Sequence, residues 1–227
     1  LPVEALVLET DAPDIPPAWL GRGPDGHPRP ARNEPAETFR IARVLAEAGA
    51  TVVGTARTES DIVGTIAGIE SAGGSGLALV ADAMSRADGE RVVGTAVEQF
   101  GRIDILINNV GGSTYARFLD ITDEDFRHTF DWCVTSAFIM SQLVAPHMIE
   151  AGRGSIVNIS SGSARFGIRA LTAYCVAKGA LESLTRAMAQ ELAPKIRVNA
   201  IAGLMLCART GGGEPTTGGG AGRQSTW

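Results

Sequence analysis

The chain has 227 residues, 44% of them hydrophobic, and a formal net charge of −5 with acids and bases interspersed. That length buries one sizeable core and favours one domain over two. The charge offers no basic patch or stripe for nucleic acid. No run approaches the ~18 consecutive apolar residues of a membrane span. Residues 1–20 lack the basic start and apolar run of a secretory signal. Cys133, Cys175 and Cys207 have no metal-ligand spacing and fit free thiols in a reducing cytosol better than a disulfide framework. The expectation is a cytoplasmic protein with no metal, no membrane span and no nucleic-acid partner.

Three zones follow one another. Residues 1–38 form a proline-rich segment, with seven of the eleven prolines between 11 and 35, preceded by a strand-like run at 5–9. Residues 39–203 alternate strand-like and helix-like patterns. Residues 204–227 turn glycine-rich, with seven glycines after 210, and cannot bury enough surface to offset their ordering entropy, so disorder is expected there.

In chain order, the β-branched runs at 51–56, 76–81, 103–108, 154–159 and 196–201 predict strands. Between them, Ile62, Val63, Ile66 and Ile69 share a helical face, as do Val92, Val93, Ala96, Val97 and Phe100. Thr122 and Asp125 resemble a helix-capping start, with a helix to about Met148, and another helix runs from about Thr172 to Leu192. Strands that alternate with helices and are apolar on both faces imply a parallel sheet covered on both sides. The predicted fold is a doubly wound α/β sheet in three α/β/α layers, with its ligand at the carboxyl ends of the strands.

Tyr174 and Lys178 are the sharpest chemical signal. At i and i+4 on a helix they share a face. A tyrosine has a pKa of about 10 and is a poor base at neutral pH, but a neighbouring ammonium favours the phenolate. Such a pair can exchange a proton with an alcohol or carbonyl. Thirteen residues upstream, Ser161 ends an apolar strand, where it could donate to a substrate oxygen. The alternative for Ser161 is a turn serine serving local backbone. Asn109 and Gly111 follow another strand and would let a cofactor approach the backbone; the alternative there is a simple turn.

Together these residues resemble the short-chain dehydrogenase/reductase family. The resemblance runs from Phe39 through Arg43–Ala50, Asp82, Gly101–Gly111, Gly154–Ser161 and Tyr174–Lys178 to Arg197–Ala202, about 165 residues in order. It implies an NAD(P)-dependent oxidoreductase that moves hydride between nicotinamide and a secondary alcohol or ketone. Tyr174 would be the acid/base, Lys178 would lower its pKa and hold the nicotinamide ribose, and Ser161 would polarise the substrate oxygen. Asn109 and Gly111 would line the cofactor cleft, and Asp82 with Ala83 would border the adenine. The resemblance also implies a homo-oligomer paired through helices at about 123–148 and 172–192, to which Phe130, Val134, Phe138 and Val144 could supply surface, with burial in the core as the equal alternative for these residues. Cofactor choice rests on Arg57. No acid follows the second strand to take a ribose 2′-hydroxyl, whereas a guanidinium there suits a 2′-phosphate. NADP is the expected cofactor, with NAD as the other possibility and a solvated loop charge as the alternative for Arg57.

Three departures from the family stand out. Its three phosphate-loop glycine positions fall on Arg32, Ala36 and Thr38, and the literal G-x-G-x-x-G at 21–26 runs into a proline-rich stretch that opens no helix. Cys133 stands where the family carries an asparagine that anchors a water. After Ala202 the family continues with Pro-Gly and a substrate-covering segment, whereas Gly203 and a glycine-rich run follow here. The two ends read as frame-shifted or misjoined coding sequence, which the other frames of the DNA would reveal. The alternative to an enzyme is an impaired or idle member of the same fold that acts as a binding module. Retention of Tyr174 and Lys178 argues against that reading.

Overall fold

The computed structural model describes residues 6–9 and 49–203. Six strands form one parallel sheet: β1 (Leu6–Glu9), β2 (Thr51–Ala56), β3 (Ser75–Val80), β4 (Ile105–Asn108), β5 (Gly154–Ser161) and β6 (Ile196–Gly203). Their order across the sheet is β3-β2-β1-β4-β5-β6. The register is fixed on both sides of β1, which sets Leu6 against Val52 on one neighbour and against Ile105 on the other.

The helices are α1 (Glu59–Ser71), α2 (Arg86–Phe100), α3 (Asp123–Phe130), α4 (Ser136–Glu150) and α5 (Thr172–Leu192). Successive strand residues point to opposite faces, so one strand feeds two cores. Val53 and Leu106 join a cluster with Val92, Val93, Met140, Val144 and Met188 from α2, α4 and α5. Val52 packs instead with Ile66 and Ile69 of α1, and Ile105 and Ile107 join that side. A third cluster, around Val134, Leu171, Ala177 and Leu181, seats the start of α5. This is the predicted doubly wound arrangement.

The ends of elements follow local chemistry. Ser85 caps α2 by accepting from the Asp88 amide, and Gly101 closes that helix in the left-handed conformation at φ 74°. Thr122 Oγ1 accepts from the Asp125 amide at 3.0 Å, the capping start expected from sequence. Two expectations change. Ile103 is buried, but the fourth strand begins only at Ile105. The helix expected from 123 to 148 ends at Glu150 and is interrupted at Asp131–Thr135 by a single π-turn, which joins α3 to α4. Asp123–Glu150 is long and apolar enough by composition to cross a membrane, but 56% of its most apolar stretch is buried inside the fold. The sheet and α5 take up that surface.

Candidate active site

The carboxyl ends of β4 and β5 and the first two turns of α5 meet at one place. Tyr174 and Lys178 lie on the buried face of α5, one helical turn apart, with Tyr174 5% and Lys178 2% exposed. The Lys178 ammonium donates to the Ile159 carbonyl of β5 at 2.7 Å and lies 5.5 Å from the centroid of the Tyr174 ring. Ser161, the last residue of β5, sits beside the Tyr174 phenol, whose ionised form its hydroxyl favours. Its Oγ also accepts from the Ser163 amide at 3.2 Å, so the turn role and the contact with Tyr174 coexist. The three residues expected to act together are therefore in contact or nearly so.

Gly111 completes this corner. A Cβ added there would come within 2.9 Å of Lys178 Nζ and 3.0 Å of Cys133 Sγ. Only a residue without a side chain lets the β4 turn approach the lysine so closely. Cys133 is fully buried, and its thiol donates to the Gly112 carbonyl at 3.5 Å. The π-turn carries it there.

The electrostatics differ from the expectation that Lys178 would lower the Tyr174 pKa. Burial pushes the Tyr174 phenol above its usual value, and the nearby Cys133 thiol adds to that rise. The Ser161 hydroxyl opposes both. Burial likewise pushes the Lys178 ammonium down, toward the neutral amine, against a smaller opposing effect of Cys133. Loss of water is the largest cause for both groups.

The other expected positions lie further along the strand ends. Arg57 follows β2 directly and is exposed, with its guanidinium carbon 5.9 Å from the centroid of the Trp132 ring. Asp82 and Ala83 follow β3 beside it. The Asp82 carboxylate accepts from the Met84 amide at 2.9 Å, while its own amide donates to Asp88 at 2.8 Å, so it shapes its turn. Asn109 lies between Asn108 and the Gly111 turn and is partly buried.

A sequence model of the family described as short chain dehydrogenase matches residues 38–210. The chain belongs to that family. It is 37% identical over 163 residues to an uncharacterized oxidoreductase of Mycobacterium tuberculosis (strain CDC 1551 / Oshkosh), which covers 71% of this chain and 62% of that protein. It is also 37% identical over 166 residues to dehydrogenase/reductase SDR family member 4 of Homo sapiens, covering 72% of this chain and 60% of that protein. The chain thus spans less than two thirds of the length of these relatives. Among solved structures, 7α-hydroxysteroid dehydrogenase complexed with NADH and 7-oxo glycochenodeoxycholic acid superposes with a TM-score of 0.73 at 32% identity, over 89% of this chain and 71% of that one.

In this short-chain dehydrogenase the phosphate-loop positions Arg32, Ala36 and Thr38, the glycine motif at 21–26 and the segment after Gly203 lie outside the described residues, as does Cys207. Three features escape sequence reading. Asn108 and Asn158, cross-strand partners on β4 and β5, share a buried network. Asn108 Nδ2 donates to Asn158 Oδ1 at 2.8 Å and to Ser141 Oγ at 3.1 Å, and Asn158 Nδ2 donates to Thr185 Oγ1 at 2.9 Å. An asparagine inside a β-branched run was the available signal. Ala170, the one non-glycine with positive φ among the described residues, turns the chain into α5 at φ 64°, and its carbonyl accepts from the Ala116 amide at 3.1 Å. That bond ties the loop before α5 to the loop after β4, beside Tyr115. Trp132 lies against Gly112, where a Cβ would come within 2.6 Å of the indole.

Proposed function

We propose that this short-chain dehydrogenase is an NAD(P)-dependent oxidoreductase acting on a secondary alcohol or ketone, with Tyr174 as acid/base. The observation that carries the reading is Ser161 beside the Tyr174 phenol, with the Lys178 ammonium 5.5 Å from the Tyr174 ring, at the carboxyl end of the sheet. The dinucleotide, when bound, supplies or takes up the hydride. The described residues fit such a group: the β4 turn at Asn109–Gly111 has no side chain to block it at Gly111, and Lys178 faces that turn.

The chain's own residues supply the proton. In the reducing direction the Tyr174 hydroxyl donates to the substrate oxygen, and the Ser161 hydroxyl donates a second hydrogen bond to the same atom. In the oxidising direction Tyr174 accepts the alcohol proton. Lys178, held by the Ile159 carbonyl, orients toward the ribose side of the cleft and stabilises the phenolate when it forms. Asn109, Gly111, Tyr174 and Lys178 line the nicotinamide side, and Asp82 with Ala83 the adenine side. Arg57 favours a 2′-phosphate, hence NADP over NAD. The 7α-hydroxysteroid dehydrogenase relative carries NADH, so the choice is a property to test in this chain. The described cysteines are free thiols, in keeping with the cytoplasm as the proposed compartment.

A panel of ketones with NADPH and with NADH, run on the wild type and on Tyr174→Phe, tests the reading. The expected result is turnover that prefers NADPH and falls on the order of 100-fold or more in Tyr174→Phe. Identical traces from both proteins would instead favour the idle binding module.

A further inference from the structure

The spacing of Tyr174 and Lys178 continues in a third residue. Glu182 lies one turn further along α5, so the three share one face of the helix at i, i+4 and i+8. The proton chemistry does not use Glu182, yet its side chain is only 14% exposed. A carboxylate withdrawn that far from water needs partners. It has two, and both belong to the segment that carries Ser161. The Ser160 hydroxyl, on the residue before Ser161, donates to one Glu182 oxygen at 3.3 Å. The Arg165 guanidinium, four residues after Ser161, pairs with the other at 3.6 Å. Ser160 is itself buried and lies 3.5 Å from the Lys178 carbonyl, which seats it on the same face of α5.

Between these two grips lies the turn Gly162–Ala164. The Ser163 amide donates to Ser161 Oγ at 3.2 Å, and the Arg165 and Phe166 amides both donate to the Gly162 carbonyl, at 3.0 and 3.1 Å. The Ser161 hydroxyl therefore follows the turn, and one carboxylate closes the turn onto α5. Tyr174 and Lys178 ride on α5, whereas Ser161 ends β5, so their separation depends on how firmly strand and helix are joined at this point. We propose that Glu182 is a positioning residue for Ser161: it clasps the Ser161 turn from both sides and holds that hydroxyl where it and Tyr174 reach one substrate oxygen. This rests on the roles of Ser161 and Tyr174 proposed above and adds the residue that sets their separation. The Ser160 bond is the stronger half of the clasp, because the Arg165 side chain is 69% exposed and its charge is screened by water.

The test compares the full-length wild type with Glu182→Leu, Glu182→Gln, Ser161→Ala and the double variant Ser161→Ala/Glu182→Leu. Each is assayed with NADPH and the ketone of the panel above that turns over fastest, and its amide hydrogen exchange is measured without substrate. The expected result is that Glu182→Leu lowers kcat about tenfold and leaves the KM for NADPH unchanged. Glu182→Gln, which still accepts from Ser160, recovers most of the loss. The double variant is no slower than Ser161→Ala alone, because Glu182 acts through Ser161. Exchange at the Ser163, Arg165 and Phe166 amides speeds up in Glu182→Leu, while Leu106 and Ile156 in the core stay protected. If Glu182→Leu does not fold, Ser160→Ala removes the same bond from the strand side and carries the same expectations. A double variant slower than Ser161→Ala by the whole Glu182→Leu factor would overturn the proposal, as would unchanged exchange at the three amides. If Ser161→Ala matches the wild type, or if no ketone is reduced, the reading of Ser161 falls instead, and the exchange data alone decide whether Glu182 holds the turn.

Discussion

Tyr174 is asked both to give and to take a proton, and its surroundings favour giving. Burial and the Cys133 thiol raise its pKa, so the phenol is the dominant form across neutral pH. Ketone reduction, which needs the phenol, should stay level from pH 6 until about the ordinary tyrosine value of 10. Alcohol oxidation, which needs the phenolate, should rise with pH across that whole range. Initial rates in both directions against pH check this, and an oxidation rate that levels off near neutrality would show that the raised pKa does not govern the reaction. Tyr174, Lys178 and Gly111 were legible in the sequence because their geometry is local or nearly so: an i, i+4 pair and a glycine after a strand. The direction of the Tyr174 shift was not, since it depends on how far the residue is removed from water, and Trp132 was not, because its significance comes from contacts with residues 20 and 75 positions away.

Among elements, the joint between β4 and β5 is unusual in being polar. Asn108 and Asn158 link the two strands to Ser141 on α4 and Thr185 on α5, and both asparagines are buried. Asn108 Oδ1 finds no donor among the described residues. A half-satisfied buried network fixes relative position more than it adds stability. Asn158→Leu should cost about 1–3 kcal/mol by removing its buried hydrogen bonds with the Asn108 amide and the Thr185 hydroxyl, read as a lower urea midpoint with an unchanged slope. A stability at or above wild type would show that apolar packing replaces the network without loss. The strands themselves were readable from β-branched runs to within a residue or two, and the Thr122 start from its capping pattern. The π-turn at Asp131–Thr135 was not, because one extra residue in a helical turn leaves no mark in composition. Yet that turn sets both Trp132 and Cys133 against Gly112.

At the scale of the whole molecule, the doubly wound sheet was the most legible feature, since alternation of strands and helices admits few topologies. Surface and interior were harder to separate. Of the four residues expected to supply an association surface, Val134 and Val144 are buried, while Phe130 is 36% and Phe138 43% exposed, joined by Phe126 on the same helical stretch. We expect pairing through that face. Sedimentation at micromolar concentration should give a dimer or larger species, with Phe138→Glu shifted toward monomer; a wild type that sediments as a monomer would exclude it. The central place of β1 has a consequence for synthesis. Leu6 is synthesised about a hundred residues ahead of its partner Ile105. Throughout that interval the middle strand of the sheet waits with one edge unclaimed, open to a chaperone or to another nascent chain. Substitutions within Leu6–Glu9 therefore act on the centre of the sheet and should appear first as lost yield of folded protein.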